Sequence, residues 1–172
     1  MAELLDIVND RDEVIGQIER DDRVNEGHII RMVFVGFYTP DKEIILQRRS
    51  QKKRSSPGRL TSTVSGHVSS GQTYDQAAIR ETYEETGIVI DRPLLQPLGV
   101  LLGGHAMRAV YAYPYADPIE RLQVEKDEGD GFVKIAVDRL LRERLSHKDS
   151  YTPFINSDAG TVMLDYIQHL PG

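Results

Sequence analysis

The segment that most constrains the fold runs from Gly66 to Ile88 and reads GHVSSGQTYDQAAIRETYEETGI. Thr73, followed three residues later by Gln76, is the pattern of a capping box, which marks a helix N-terminus. Gly87 stands where a helix commonly ends in a left-handed residue. The sequence therefore predicts a helix from Tyr74 to Thr86 behind a glycine-containing loop.

Glu81, Glu84 and Glu85 crowd one side of this predicted helix. Like charges three or four residues apart destabilise a helix by a few tenths of a kcal/mol each. Two interpretations are open: a solvated acidic face, or an all-oxygen site for a hard divalent cation. Spacing of 3.6 residues predicts a packing stripe beside the acids, made of Ala78, Ile79, Thr82, Tyr83 and Thr86.

Apolar runs on both sides of this helix predict a mixed sheet. Runs at 4–8 and 14–18 flank turn-forming residues and predict an N-terminal β-hairpin. Residues 28–38 are rich in Ile, Val and aromatics and predict a buried strand. Further predicted elements are strands at 43–50, 98–102, 107–115 and 132–137, a loop at 50–59, a short helix capped by Asp138, and a last helix at 159–169. These patterns predict one α+β domain over residues 1–172, with helices packed on the sheet.

Composition excludes several classes of function. The 172 residues include no cysteine, which rules out disulfides, thiolate ligands and a thiol nucleophile, and which fits a cytoplasmic protein. No stretch reaches the roughly 20 apolar residues needed to span a bilayer, so no membrane partner is expected. A net charge of −6 argues against nucleic-acid binding. Monomer and homodimer both stay open.

The segment also resembles the Nudix box, whose order is Gly-x5-Glu-x7-Arg-Glu-U-x-Glu-Glu-x-Gly-U, with U usually aliphatic. Thr82 is an acceptable variant at the first U, while Gln72 stands where the box has its first Glu. The chain is therefore identified as a member of the Nudix superfamily, which implies an α/β/α sandwich with a mixed β-sheet. The matching residues are Gly66, Arg80, Glu81, Glu84, Glu85, Gly87 and Ile88.

The resemblance implies a role for each box residue. Glu84 and Glu85 would be the principal ligands of Mg²⁺ or Mn²⁺, joined by the main-chain carbonyl near Gly66. Glu81 would be a ligand or the base that activates water, and Arg80 would orient a glutamate. The change to glutamine at position 72 is interpreted as tuning, or as a lower occupancy of an additional metal.

Outside the box, a basic run and an acidic loop supply further candidates. The run is either a solvated loop or a set of cations that hold a diphosphate; Arg48, Arg49 and Lys52 are its candidate substrate-binding residues. His67 is a candidate phosphate or metal contact, or a structural histidine. Many Nudix hydrolases place a further glutamate in a loop like the one holding Glu125 and Glu128, and Glu128 is the candidate ligand here.

The segments LQRRSQKK, PG and SGH lie before the helix of the box. They resemble the branch of the Nudix superfamily that contains isopentenyl-diphosphate isomerase and its hydrolase relatives. The isomerase uses a cysteine before the Gly-His, where this chain has Ser65. Ile30 also stands where the branch has a metal-binding histidine. A serine hydroxyl is a much poorer acid than a thiol, which argues against isomerisation.

The resemblance thus implies a divalent-metal-dependent hydrolase of a small-molecule diphosphate, a nucleoside di- or triphosphate derivative. Two alternatives are a non-catalytic nucleotide sensor and the isomerase. An eroded box core would mark the sensor, whereas Arg80, Glu81, Glu84 and Glu85 are all present.

Overall fold

The fold is built around the strand predicted at 28–38. A computed structural model describes residues 2–25 and 27–172 of the chain. The strands are β1 (Leu4–Val8), β2 (Val14–Glu19), β3 (Ile29–Tyr38), β4 (Glu43–Arg49), β5 (Leu60–Thr61), β6 (Val64–His67), β7 (Gln96–Gly103), β8 (Ala106–Pro114) and β9 (Gly129–Ala136). The helices are α1 (Tyr74–Thr86), α2 (Val137–Glu143), α3 (Pro153–Asn156) and α4 (Asp158–Gln168), with 3-10 turns at Arg20–Asn25, Arg92–Leu94, Ile119–Arg121 and Lys148–Ser150.

In the described part of the chain, all nine strands belong to one mixed sheet. Along one edge, β3 pairs in parallel with β8, and β7 extends the sheet beyond it. The other edge of β3 is shared by β1, β6 and β4, which all run antiparallel to it. β2 pairs with β1, and both β5 and β9 pair with β4. The predicted mixed sheet and N-terminal hairpin are confirmed.

Helices cover both faces of this sheet. Successive side chains of a strand point to opposite faces, so β3 contributes to two cores. Val33 and Phe37 pack in a cluster with Ala78 of α1, whereas Phe34 packs in a second cluster with Met163 of α4. The arrangement is the α/β/α sandwich that the sequence predicted.

The predicted bounds of α1 are confirmed at both ends. The Thr73 hydroxyl accepts a hydrogen bond from the Gln76 amide at 3.1 Å, and Gly87 is left-handed with φ 75°. The predicted packing stripe is wrong at Tyr83, which is 60% exposed. Ala77 and Glu85 are buried in its place, because α1 lies against β6 and turns that side inward.

The prediction that Asp138 caps a helix is also wrong. α2 begins at Val137, so Asp138 lies inside its first turn and accepts a hydrogen bond from Arg142 at 3.0 Å. The last helix is confirmed to within one residue at each end. None of the helices in residues 2–25 and 27–172 has the length and apolarity needed to span a bilayer.

Candidate active site

A cavity opens beside α1; it has a volume of about 940 Å³, and its lining includes acidic and basic residues in equal number. Its walls come from α1, the start of β3, the β7–β8 turn, and the loops that follow β4 and precede β9. The acidic residues that line it are Glu3, Glu81, Glu84, Glu85, Glu125 and Glu128, and the basic ones are Arg20, Arg49, Lys53, Arg54, Arg80 and Arg108.

Packing of α1 against β6 sets the positions of the box glutamates. Glu85 is only 3% exposed, and its carboxylate accepts a long hydrogen bond of 3.4 Å from the Ser65 amide. Glu81 lies directly against Gly66, where an added Cβ would be 2.1 Å from the Glu81 Cδ. Glycine at position 66 therefore makes the space in which the Glu81 carboxylate sits.

Arg80 connects these glutamates to the loop before α1. Its Nη1 lies 2.9 Å from Glu81 Oε1 and 3.2 Å from Glu84 Oε2, and its Nη2 donates to the His67 carbonyl at 3.0 Å. Nε and Nη2 of Arg80 also donate to the Gln72 amide oxygen at 3.3 and 3.2 Å. Gln72, which departs from the box pattern, therefore positions Arg80 through a neutral acceptor.

Burial leaves the carboxylates of this site poorly compensated. The pKa of Glu81 is raised to about 7, chiefly by burial and also by Glu84, while Arg80 opposes the shift. Burial raises the pKa of Glu85 well above its ordinary range, and the charges of Glu81 and Glu128 add to it. Such a site favours protonation or a bound cation over free carboxylates.

The chemistry of this donor set fits a hard divalent cation. Carboxylate and carbonyl oxygens are the ligands that Mg²⁺ and Mn²⁺ accept. Within the described parts of the chain, no three His, Asp or Glu side chains already surround one point, because Arg80 holds Glu81 and Glu84. The residues that would hold the ion are Glu81, Glu84, Glu85, Glu128 and the Gly66 carbonyl.

Metal-free protein should lose stability as the pH rises from 5 to 8. The pKa of Glu81 is about 7 when folded and near 4.5 when unfolded. Its contribution is therefore fully present below the unfolded pKa and is lost as the pH rises through the folded one. The loss reaches at most about 3 kcal/mol. Thermal unfolding in EDTA at pH 5, 6, 7 and 8 measures it.

Two comparisons make this expectation specific to the site. Glu81→Gln should flatten that part of the pH dependence, and Mg²⁺ should stabilise the wild type more at pH 8 than at pH 5. Equal pH dependence of the wild type and Glu81→Gln would contradict the assignment.

The structure brings two of the four predicted substrate-binding residues to the cavity. Arg49 and His67 line it, and burial lowers the pKa of Arg49. Arg48 is exposed and donates to the Gly58 carbonyl at 3.0 Å, while Lys52 pairs with Asp127 at 2.6 Å. Neither belongs to the cavity lining. Adjacent strand positions face opposite ways, and Arg49 rather than Arg48 takes the inward one.

The acidic loop reaches the site as predicted for Glu128. Glu128 lines the cavity and forms an ion pair with Lys53 of the basic loop. Glu125 lines it too, and its pKa is raised by burial and by Glu128. Basic and acidic loops therefore meet beside the box glutamates.

Sequence reasoning missed Glu3 and Arg20, which the N-terminal hairpin contributes. The Ser69 hydroxyl donates to Glu3 at 2.7 Å, and Arg20 Nη1 lies 3.1 Å from the other Glu3 oxygen. The Ser70 amide also donates to the Leu4 carbonyl at 2.8 Å, which docks the hairpin on the loop before α1. No local pattern marks these residues, because only this docking brings them to the cavity.

Comparison with known proteins agrees with this geometry. The family model for the NUDIX domain matches residues 28–152. A Nudix hydrolase of Deinococcus radiodurans is 40% identical over 96 residues, which are 56% of this chain and 56% of the relative. The chain spans about half the length of the curated Nudix hydrolases that it matches at 35% to 40% identity.

Two further similarities cover most of the chain. The crystal structure of DR0079 from Deinococcus radiodurans is 28% identical, with a TM-score of 0.79, over 93% of this chain and 97% of that one. An isopentenyl-diphosphate Delta-isomerase of Pectobacterium atrosepticum is 24% identical over 155 residues, 85% of this chain and 83% of the relative. The similarity to the branch inferred from LQRRSQKK and SGH is thus confirmed.

Proposed function

This chain belongs to the NUDIX domain family, and from that premise we propose that it is a divalent-metal-dependent hydrolase of a diphosphate linkage in a nucleoside di- or triphosphate derivative. One observation carries the proposal. The box glutamates Glu81, Glu84 and Glu85 share a single cavity with Glu128 and with the half-buried Arg49. That cavity offers both a cation site and a cationic side chain for phosphate oxygens.

The acidic part of the cavity would hold Mg²⁺ or Mn²⁺. When bound, such an ion offsets the charge of the diphosphate and polarises its phosphorus–oxygen bonds. Glu84 and Glu85 are the principal ligands in this proposal, with Glu128 and the Gly66 carbonyl beside them. In the protein without a bound ion, Arg80 pairs with Glu81 and Glu84 and offsets the repulsion between their carboxylates.

Glu81 is the group proposed to take the proton from the attacking water. Its carboxylate is largely enclosed, with 12% of the side chain exposed, and it lies against Gly66 at the edge of the proposed metal site. Arg80, 2.9 Å away, orients that carboxylate. The water oxygen forms a bond to phosphorus while the bond from that phosphorus to the bridging oxygen breaks. The leaving phosphate group keeps the bridging oxygen and the bonding electrons.

Arg49 and Lys53 are the side chains proposed to hold the phosphate oxygens. Arg49 is anchored by hydrogen bonds to the Ser55 carbonyl and hydroxyl at 3.0 and 3.2 Å, so its guanidinium is held in place. Lys53 is paired with Glu128 and would exchange that partner for substrate. His67, 9% exposed on the cavity wall, is a further contact.

A phosphate-release screen with Mg²⁺ tests the proposal. The panel contains nucleoside di- and triphosphates, nucleotide sugars, dinucleotides and isopentenyl diphosphate. We expect turnover of at least one nucleoside diphosphate derivative and its loss in Glu84→Gln. Turnover that persists at the wild-type rate in that variant would remove the proposed metal site.

The same panel separates the alternatives. Isomerisation of isopentenyl diphosphate would support the isomerase, although the chain has no cysteine and Ser65 stands before Gly66. Tight nucleotide binding with no turnover of any compound would favour a sensor.

A further inference from the structure

Arg108 is a half-buried cation on the wall of the candidate active site, and it has no partner among the residues that the structure describes. In residues 2–25 and 27–172 no carboxylate, carbonyl or hydroxyl is bound to it, and burial alone lowers its pKa. The other half-buried arginines of the cavity are anchored: Arg49 bonds Ser55 and Arg80 bonds Glu81. A guanidinium withdrawn from water without a counter-charge costs free energy, which an anion would recover.

Sheet register fixes where Arg108 lies relative to the box. Met32 of β3 is the register partner of both Arg108 on β8 and His67 on β6. Side chains in register on neighbouring strands share a face, and two strand spacings amount to about 10 Å. Arg108 therefore stands across the cavity floor from His67, which precedes the loop to α1.

Gly103 leaves room for the guanidinium of Arg108, because glycine has no side chain. A Cβ at this position would lie 2.9 Å from Arg108 Cζ and 2.9 Å from Nη1, so the guanidinium occupies the space at the end of β7 that a side chain at position 103 would fill. His28 and His105 line the same end of the cavity. We refer to this end of the cavity as the distal wall; it is formed by His28, Gly103, His105 and Arg108.

Arg108 also borders a smaller cavity of about 420 Å³ beside α3 and α4. The charged residue that shares that lining is Asp158, a carboxylate that would repel an anion. In the larger cavity the neighbours at the distal wall are histidines. The larger cavity is therefore where an anion would reach Arg108.

We propose that Arg108 binds a second anionic group of the substrate, a phosphate or a carboxylate, on the opposite side of the cavity floor from the diphosphate that is hydrolysed. The inference rests on the proposed function, which places the diphosphate at the carboxylates of α1. A planar guanidinium forms paired hydrogen bonds with either kind of group. The substrate class becomes a nucleoside diphosphate derivative with an additional acidic group.

Matched ligand pairs test this directly. NADPH and NADH differ by one phosphate, and UDP-glucuronic acid and UDP-glucose differ by one carboxylate. Calorimetric binding to full-length Glu85→Gln with Mg²⁺ measures each Kd without turnover. We expect at least one acidic member to bind about tenfold or more tightly than its neutral partner. The pair that shows this preference identifies phosphate or carboxylate as the group.

Substitutions assign the preference to Arg108. In the Glu85→Gln background, Arg108→Gln should remove the preference and leave the neutral member within twofold, while Arg108→Lys should recover part of it. Arg142→Gln is the matched control, since Arg142 is on the exposed side of α2 and pairs with Asp138. Equal binding of both members in both pairs, or an equal loss for both members in Arg108→Gln, would overturn the inference.

Failure of this inference and failure of the proposed function give different results. If the wild type hydrolyses no diphosphate but Arg108→Gln still removes the tighter binding of the acidic ligand, the inference about Arg108 is supported and the hydrolase proposal fails. If the wild type hydrolyses both members of each pair equally well and Arg108→Gln changes neither the rate nor the Kd, the hydrolase proposal is supported and the inference about Arg108 fails.

Discussion

Replacing Glu85 by glutamine should lower diphosphate hydrolysis by about 100-fold or more, because a ligand of the catalytic ion contributes several kcal/mol to the transition state. The same change should raise the stability of the metal-free protein. Glu85 is 3% exposed, and the hydrogen bond that it accepts from the Ser65 amide is 3.4 Å long. Glutamine has the same shape and removes a buried charge that little compensates. Activity and stability are thus expected to move in opposite directions.

Initial rates with Mg²⁺ and thermal unfolding in EDTA at pH 8 measure the two effects. Glu143→Gln is the matched control, because Glu143 is on a helix, pairs with Arg139 and is far more exposed than Glu85. It should leave the rate unchanged. If Glu85→Gln destabilises the metal-free protein, or keeps the wild-type rate, Glu85 is a structural residue and the metal site must be built from other residues.

The features that sequence predicted well are those with local causes. The bounds of α1 follow from Thr73, Gln76 and Gly87, which act within one turn of the helix ends. The central strand followed from its run of apolar residues, which β3 buries on both faces. The hairpin followed from turn residues between two short apolar runs. None of these depends on how distant segments meet.

The features that sequence missed depend on packing between distant segments. Helical periodicity placed Tyr83 in the core and Glu85 at its border, but contact with β6 decides which side of α1 is buried, and Glu85 is inside. Arg49 lines the cavity and Arg48 does not, because a shift of one position along a strand moves a side chain to the opposite face of the sheet. Arg20 reaches the site only because the hairpin docks beside Ser69. The Nudix box therefore predicted the acidic residues of the cavity better than the basic residues that line it.

Replacing Gly66 by alanine should impair the site with little effect on the fold. An alanine Cβ would lie 2.1 Å from Glu81 Cδ and 2.5 Å from its Oε1, so the carboxylate must move. The backbone of Gly66 is not in the left-handed region, so alanine adds bulk without backbone strain. We expect hydrolysis to fall by about tenfold or more, since small displacements of catalytic groups have effects of this size.

The control and a double variant show whether the effect passes through Glu81. Gly16→Ala also adds a methyl group to a strand glycine, but its nearest neighbour is Ile7 Cδ1 at 3.7 Å, so rate and melting temperature should hold. If Gly66→Ala acts by displacing Glu81, the double variant with Glu81→Gln should be no slower than Glu81→Gln alone. Independent losses that multiply in the double variant would show that alanine disturbs the Gly66 carbonyl instead, and the role of position 66 would then be that of a ligand rather than of a space for Glu81.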